Sequence, residues 1–371
     1  MMKTSTGSTH PVPRGAILIM AFLVGLGVLH PAGMKERSMA YAPLKEVYKD
    51  YFSIGAAVKL GEYNSTPFYQ AYGEDVLQHF DSFTAENGMK PENVYRNGTY
   101  DFTYGDRLVR YAREHGAVVR GHTLVWHNQT SSLIPRPLPK EEARRLLEEY
   151  ISTVAGHFRG GIHAWDVVNE AVGDGSQWRT SSPWYQSYGG PEYIREAFEY
   201  ARMADPDARL FYNDYNVVQP AKRARIVRMI EELDLVEAGL DGIGIQAHWN
   251  LQWPSAEEIS RTIETFASMG LEVHITELDI DCYNGNPAAP EMAYTSELEE
   301  KLARRYAEIF EVLRRHKGEV TSVTFWGIAD PDSWLNGFSG GRFLEKRREN
   351  YPLLFDGKGD PKEAFFSIIN W

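Results

Sequence analysis

Two glutamates follow directly on apolar runs. Glu170 closes Trp165-Asp166-Val167-Val168-Asn169-Glu170, and Glu277 sits in His274-Ile275-Thr276-Glu277-Leu278-Asp279. A carboxylate after an apolar strand is costly unless it is solvated or has chemistry to perform. A facing pair of carboxyl groups can cleave a glycosidic bond. One acid protonates the leaving oxygen, while the other carboxylate attacks the anomeric carbon or activates water. A separation of ~5–5.5 Å goes with retention of configuration and ~6.5–9.5 Å with inversion. The sequence leaves that choice open.

The neighbours divide the two roles. Glu277 and Asp279 are two residues apart, so an extended segment points both to one side. A histidine between them would hold Glu277 ionised and oriented, and His248 is the candidate. A fixed, ionised carboxylate suits a nucleophile. Once Glu277 is negative, Glu170 nearby should keep its proton, which suits a general acid that later acts as base.

The elements that must bring these residues together are legible as an alternation. Short β-rich runs fall at 52–58, 82–85, 117–125, 162–168, 209–212, 242–247, 271–276 and 322–325. Helical stretches fall at 67–79, 104–115, 139–157, 191–204, 220–237, 255–268, 296–316 and 361–370, several opening with Pro or Ser. Eight strands alternating with eight helices predict a single (β/α)8 TIM barrel over residues 43–371. A doubly wound sheet would carry a Gly-rich phosphate turn after its first strand, where this chain reads Lys59-Leu60-Gly61-Glu62.

Seven strands end in bursts of polar or aromatic residues. They are Thr84-Ala85-Glu86-Asn87 with Lys90, His122 to Trp126-His127, Asn169-Glu170, Asn213-Asp214-Tyr215-Asn216, Gln246-Ala247-His248-Trp249, Glu277 with Asp279, and Trp326. In a barrel these ends share one rim, where barrel enzymes build their sites. Scattered loop charges would not cluster in register seven times.

Composition agrees and narrows the partners. The 371 residues carry a formal net charge of -12, which repels nucleic acid but not a neutral polysaccharide. Nine Trp and 21 Tyr supply flat faces on which sugar rings can stack, although aromatics also fill cores. Cys282 is the single cysteine, so no intrachain disulfide forms, and without an obvious activating base beside it in sequence it reads as a spare small side chain. His122 and His127, five apart at a strand end, lack the helical His-x-x-x-His spacing of a zinc site, so no metal or other cofactor is expected. No obligate protein partner is evident.

Residues 1–42 differ from the rest. An apolar run at 16–29 is shorter than the roughly 20 residues of a membrane span and has signal-peptide length. Ser38-Met39-Ala40 offers small residues for cleavage, but Lys35, Glu36 and Arg37 intrude. The expectation is a secreted or N-terminally tethered protein, or a cytoplasmic one if translation starts at Met34. Asn64, Asn97 and Asn128 lie in N-x-S/T triplets, which matter only in a glycosylating host.

From Tyr51 to Trp371 the motifs around these residues resemble glycoside hydrolase family 10, the retaining endo-β-1,4-xylanases. They include Thr84-Ala85-Glu86-Asn87-x-Met89-Lys90, Arg120-Gly121-His122-Thr123-Leu124-Val125-Trp126-His127, Tyr212-Asn213-Asp214-Tyr215-Asn216 and Phe325-Trp326-Gly327, besides the two glutamate segments and Gln246-Ala247-His248. The resemblance implies Glu170 as acid/base and Glu277 as nucleophile, with His248 and Asp279 orienting the nucleophile. It implies that Asn169 contacts the sugar 2-hydroxyl and that Glu86, Asn87 and Lys90 grip the glycone-side sugars. It makes His122, Trp126, Gln246 and Trp326 walls of the cleavage subsite, Trp334 an aromatic lid and Tyr215 a leaving-group-side contact. His127-Asn128-Gln129-Thr130 is similar to the cell-associated bacterial branch, which processes short xylo-oligosaccharides and lacks export signals. Another clan β-1,4-glycanase, such as an endoglucanase, is the alternative activity; a non-catalytic carbohydrate-binding barrel would usually have lost one of the two glutamates.

Overall fold

Small and β-branched residues dominate the eight runs that form the strands of the central sheet. These are β1 (Ser53–Val58), β2 (Ser82–Ala85), β3 (Val118–Val125), β4 (Ala164–Asn169), β5 (Arg209–Asp214), β6 (Gly242–Ile245), β7 (Glu272–Asp281) and β8 (Val320–Phe325). The computed structural model describes residues 41–59, 73–339 and 342–371. Each strand pairs in parallel with the next, and β8 pairs with β1, so the sheet closes into a barrel. A closed sheet has no free edge, which excludes the doubly wound alternative.

The helices pack outside. Among the described residues they include α1 (Leu44–Tyr48), α2 (Glu74–Leu77), α3 (Thr103–Glu114), α4 (Lys140–His157), α5 (Glu192–Ala204), α6 (Pro220–Glu232), α7 (Ala256–Ala267), α8 (Ser296–Arg315) and α9 (Glu363–Ile369), with further short helices at Pro91–Val94 and Pro183–Tyr188. In α8 the buried positions Leu298, Leu302, Arg305, Tyr306, Ile309, Phe310 and Leu313 recur every three or four residues, one stripe facing the barrel. At the start of α7, Ser255 Oγ accepts the Glu258 N–H at 3.2 Å and Glu258 Oε2 accepts the Ser255 N–H at 2.9 Å, a reciprocal cap. Among the described residues, no helix is long and apolar enough to cross a membrane.

The strands and helices expected from sequence have their counterparts; α1 was not among them, the strand expected at 242–247 ends at Ile245, and three larger differences stand out. The helix expected at 220–237 ends at Glu232, because Asp234 turns into the left-handed region and Leu235 N–H returns to the Ile230 carbonyl. β7 runs to Asp281 rather than stopping near 276, because Asp279, Ile280 and Asp281 pair with a short strand at His248–Asn250. Of the helix expected at 67–79, only Glu74–Leu77 is helical within the described residues. The apolar run at 16–29, Asn64 and the 60–62 stretch lie outside them.

One tie joins the carboxyl-terminal helix to the rim. Lys362 Nζ donates to Asp330 at 2.8 and 3.0 Å, to the Leu353 carbonyl at 2.7 Å and to the Tyr351 carbonyl at 2.9 Å. Asp330 opens the irregular segment that carries Trp334, and Asn336 Nδ2 returns to the Asp330 carbonyl at 2.9 Å.

Replacing Ser255 by Ala removes the cap on α7 and should cost about 1 kcal/mol. The expected result is a lower urea midpoint with an unchanged denaturant slope.

Candidate active site

The carboxyl-terminal ends of the strands bring the sequence-predicted residues onto one rim. In a regular strand consecutive side chains point to opposite faces. Thr276 and Glu277 nevertheless both reach Asn213 on β5. The register of β7 against β8 shifts between Ile275 and Leu278, and this irregularity turns two successive residues toward the barrel axis. Beyond it the alternation resumes, so Glu277 and Asp279 face the same way and Leu278 and Ile280 are buried.

His248 lies between the two acids. Its Nε2 is 3.2 Å from Glu277 Oε2 and its Nδ1 3.0 Å from Asp279 Oδ1. Trp334 Nε1 donates to the other Asp279 oxygen at 2.8 Å. Burial disfavours a charged imidazole, but Asp279 and Glu277 outweigh it and raise His248 to about 10. Burial would likewise raise Glu277; the hydrogen bond from His248, with the nearby His122 and His248 rings, reverses this and holds its carboxyl below the usual value. Glu277 is therefore ionised although only 4% exposed.

The second oxygen of Glu277 leads to the other glutamate. Asn213 Nδ2 donates to Glu277 Oε1 and to Asn169 Oδ1, both at 2.8 Å. An ionised carboxylate only accepts, so the Asn213 amide has one orientation, and its Oδ1 accepts from Thr276 Oγ1 at 2.6 Å. That in turn orients Asn169, whose Nδ2 donates to Glu170 Oε1 at 3.3 Å. Gln246 Nε2 reaches Glu170 Oε1 at 3.1 Å and Asn169 Oδ1 at 3.2 Å. Two side-chain amides thus connect the carboxyl groups. Glu170 itself adopts a left-handed backbone with φ 58°, held by Arg179 Nε on its carbonyl at 2.7 Å and by its own N–H on the Asn213 carbonyl at 2.9 Å.

Space for this network depends on Gly244. A Cβ there would lie 2.3 Å from Asn213 Oδ1 and 2.9 Å from Thr276 Cγ2. Below it, Arg120 Nη2 donates to Asp166 at 2.5 Å and its Nη1 makes a second contact to the same carboxylate. His122 Nδ1 lies 2.9 Å from that carboxylate too. His127 comes within 3.8 Å of Glu170; burial lowers it to about 4, so it is neutral there.

Aromatic rings and polar side chains continue the rim in both directions. The Trp326 ring meets His122 edge-on at 5.3 Å between centroids and His248 at 6.3 Å, and Trp334 meets His248 at 4.9 Å. Trp126 has His122 on one side, at 6.4 Å, and Lys90 Nζ 4.9 Å from its ring centre. Lys90 donates to Asn87 Oδ1 at 2.9 Å, Gln129 reaches the same oxygen at 3.4 Å, and Asn87 reaches Glu86 at 3.4 Å. On the opposite side of Glu170, Tyr215 bonds to Asp174 and Arg179. Every candidate named from sequence is thus placed on this rim. Sequence reasoning gave no role to Asn213, Arg120, Asp166, Gln129, Arg179 or Asp174. Asn213 was marked by its place at the end of a strand and within Tyr212-Asn213-Asp214-Tyr215-Asn216, without a role of its own.

A closed parallel barrel with two amide-linked carboxyl groups and an aromatic wall at its carboxyl-terminal rim has the parts of a glycoside hydrolase. The family model described as "Glycosyl hydrolase family 10" matches residues 43–371, and the chain belongs to that family. It is 41% identical over 363 residues to a "Beta-1,4-xylanase" of Dictyoglomus thermophilum, covering 96% of this chain and 97% of the relative. It is 40% identical over 337 residues to an "Endo-1,4-beta-xylanase" of Geobacillus stearothermophilus, covering 88% and 98%. Among solved structures, an endo-1,4-beta-xylanase from Caldicellulosiruptor owensensis superposes with a TM-score of 0.79 at 40% identity, over 89% of this chain and all of that one. A Thermobacillus composti GH10 xylanase gives 0.75 at 40% identity, over 89% and 99%.

Two variants probe this geometry. His248→Asn removes the group that keeps Glu277 ionised, so the acidic limb of the kcat/KM profile should move to higher pH. Because the folded His248 lies above its ordinary value, its contribution to stability is complete below pH 6.5 and lost as pH rises through about 10. Wild-type protein should therefore lose melting temperature over that window, and His248→Asn should lose less. Separately, Gly244→Ala forces Asn213 aside and should lower kcat by about 100-fold while leaving the circular dichroism spectrum unchanged.

Proposed function

We propose that this chain is a retaining endo-1,4-β-xylanase that hydrolyses internal β-1,4 bonds of xylan and xylo-oligosaccharides by double displacement. Glu277 attacks the anomeric carbon as Glu170 gives its proton to the leaving oxygen, and a covalent glycosyl-enzyme forms. Water, deprotonated by Glu170, then breaks the ester with Glu277 and the sugar leaves in its original configuration. The observation that carries this reading is His248 held between Glu277 and Asp279, on the same amide network as Glu170.

The assignment of roles follows from what each carboxyl group can do. Glu277 is fixed by His248 on one oxygen and Asn213 on the other, and is ionised without a proton to donate. Glu170 is contacted by neutral amides and by neutral His127, which leave it free to pass a proton in both directions. Asn169 Nδ2, next to Glu170, suits a sugar 2-hydroxyl. Glu86, Asn87 and Lys90 offer donors and acceptors for the glycone-side sugars. Xylose lacks the exocyclic hydroxymethyl group of glucose, and Trp326 and Trp334 would crowd that group.

Early products of xylotriose or xylan hydrolysis, followed by NMR, should carry the β-anomer; the α-anomer would overturn retention. Aryl xylobiosides should be cleaved in strong preference to aryl cellobiosides, and the reverse preference would make the protein a glucanase. Glu277→Ala should abolish turnover while xylo-oligosaccharides still bind. Glu170→Ala should slow xylan cleavage by about 10²–10⁴-fold and spare much of the first step on a dinitrophenyl xylobioside, whose leaving group needs no proton.

A further inference from the structure

A lysine with no role in the network above lies fully buried behind Tyr215. Lys222, in the first turn of α6, has no exposed side-chain surface. Its Nζ is 2.7 Å from Asp214 Oδ1, 3.3 Å from Asp174 Oδ1 and 3.7 Å from the centre of the Tyr215 ring. The two acids differ. Asp214 is completely enclosed, whereas the Asp174 side chain is 52% exposed.

Each contact of this lysine leads to a segment on the far side of Glu170. Asp214 Oδ1 accepts the Tyr215 N–H at 2.9 Å, and Asp214 Oδ2 accepts the Tyr212 hydroxyl at 2.6 Å. The Tyr212 oxygen accepts the Val172 N–H at 3.0 Å, two residues beyond Glu170. The Tyr215 hydroxyl donates to Asp174 Oδ2 at 2.5 Å and receives Arg179 Nη2 at 2.9 Å, and the same Arg179 holds the Glu170 carbonyl. The loop from Glu170 to Arg179 is therefore fastened at both ends and in its middle. A buried ion pair adds little net stability compared with apolar packing of the same volume. A lysine shared between an enclosed acid and a loop acid, against a half-buried ring, does something apolar packing could not: it fixes the loop and the ring in one geometry.

We propose that Lys222 is a positioning residue for the leaving-group side of the cleft, acting through Asp174, Asp214 and Tyr215 to align the departing sugar with Glu170. The inference rests on the reading of Tyr215 as a leaving-group-side contact. Lys222 itself does not touch the reacting atoms. Without it, Tyr215 and the loop lose their common anchor, and a sugar leaving group meets Glu170 in a less favourable geometry. A leaving group that is a good anion and needs neither proton nor stacking is indifferent to the change.

The test compares xylotetraose with 2,4-dinitrophenyl xylobioside for wild type, Lys222→Met, Lys222→Arg and Asp174→Asn. Lys222→Met should lose about 30-fold or more in kcat/KM on xylotetraose and stay within about 3-fold on the dinitrophenyl substrate, with Lys222→Arg recovering part of the loss. Asp174→Asn leaves the Lys222–Asp214 pair intact and should show the same split, about 5-fold on xylotetraose, chiefly in KM. Should Lys222→Met fail to fold by circular dichroism, the half-exposed Asp174→Asn decides the matter. Equal losses on both substrates, or no loss on either, would overturn the inference. Wild-type protein that leaves xylotetraose intact would instead bring down the functional reading on which it rests.

Discussion

A carboxylate that must stay charged while nearly excluded from water is the constraint around which this barrel is arranged. Removing Glu277 from solvent favours its neutral form. The protein answers with a protonated imidazole on one oxygen and an amide donor on the other. The imidazole in turn needs Asp279 to remain charged, and Asp279 needs the Trp334 indole to occupy its remaining oxygen. Each compensation creates the next requirement, and the chain of requirements ends at the aromatic wall of the cleft.

The same logic explains why the barrel carries small and irregular features at this level. Two successive residues of β7 must face inward for Thr276 and Glu277 both to reach Asn213, and a regular pleat cannot supply that. Gly244 supplies the volume into which Asn213 and Thr276 fit. Glu170 adopts a strained left-handed backbone that would not persist on an unsupported loop. Its supports are main-chain and guanidinium hydrogen bonds rather than packing, which suits a residue that must exchange a proton while staying in place.

Much of this was legible in the sequence because barrels impose a simple rule: residues just past the carboxyl end of a strand lie on the active rim. Glu170, Glu277, Trp126 and Trp326 could be placed by that rule, and the two-residue spacing of Glu277 and Asp279 put both acids on one side, where His248 lies within hydrogen-bond distance of each. The expected strand stopped at 276 because the apolar run ends there, although the acids at 277, 279 and 281 alternate with Leu278 and Ile280 as in a strand. Lys222 was illegible for a related reason. In Pro220-Ala221-Lys222-Arg223-Ala224-Arg225 a lysine reads as part of a solvated helix face, and only the fold shows that its ammonium points at two acids. Asn213 stood in a strand-end motif, but its role was not legible there, since its partners are 44 and 64 residues away.

The Lys362 tie has a consequence for how far the chain can be shortened. This ammonium holds Asp330 and two carbonyls of the 351–353 segment, and Asp330 begins the turn that presents Trp334 to Asp279. The last helix therefore acts as a remote pin for the turn that carries Trp334. A tag appended after Trp371 leaves that pin seated. A truncation before residue 362 withdraws it, and the damage would surface at the opposite end of a relay, in the protonation state of a histidine more than a hundred residues upstream.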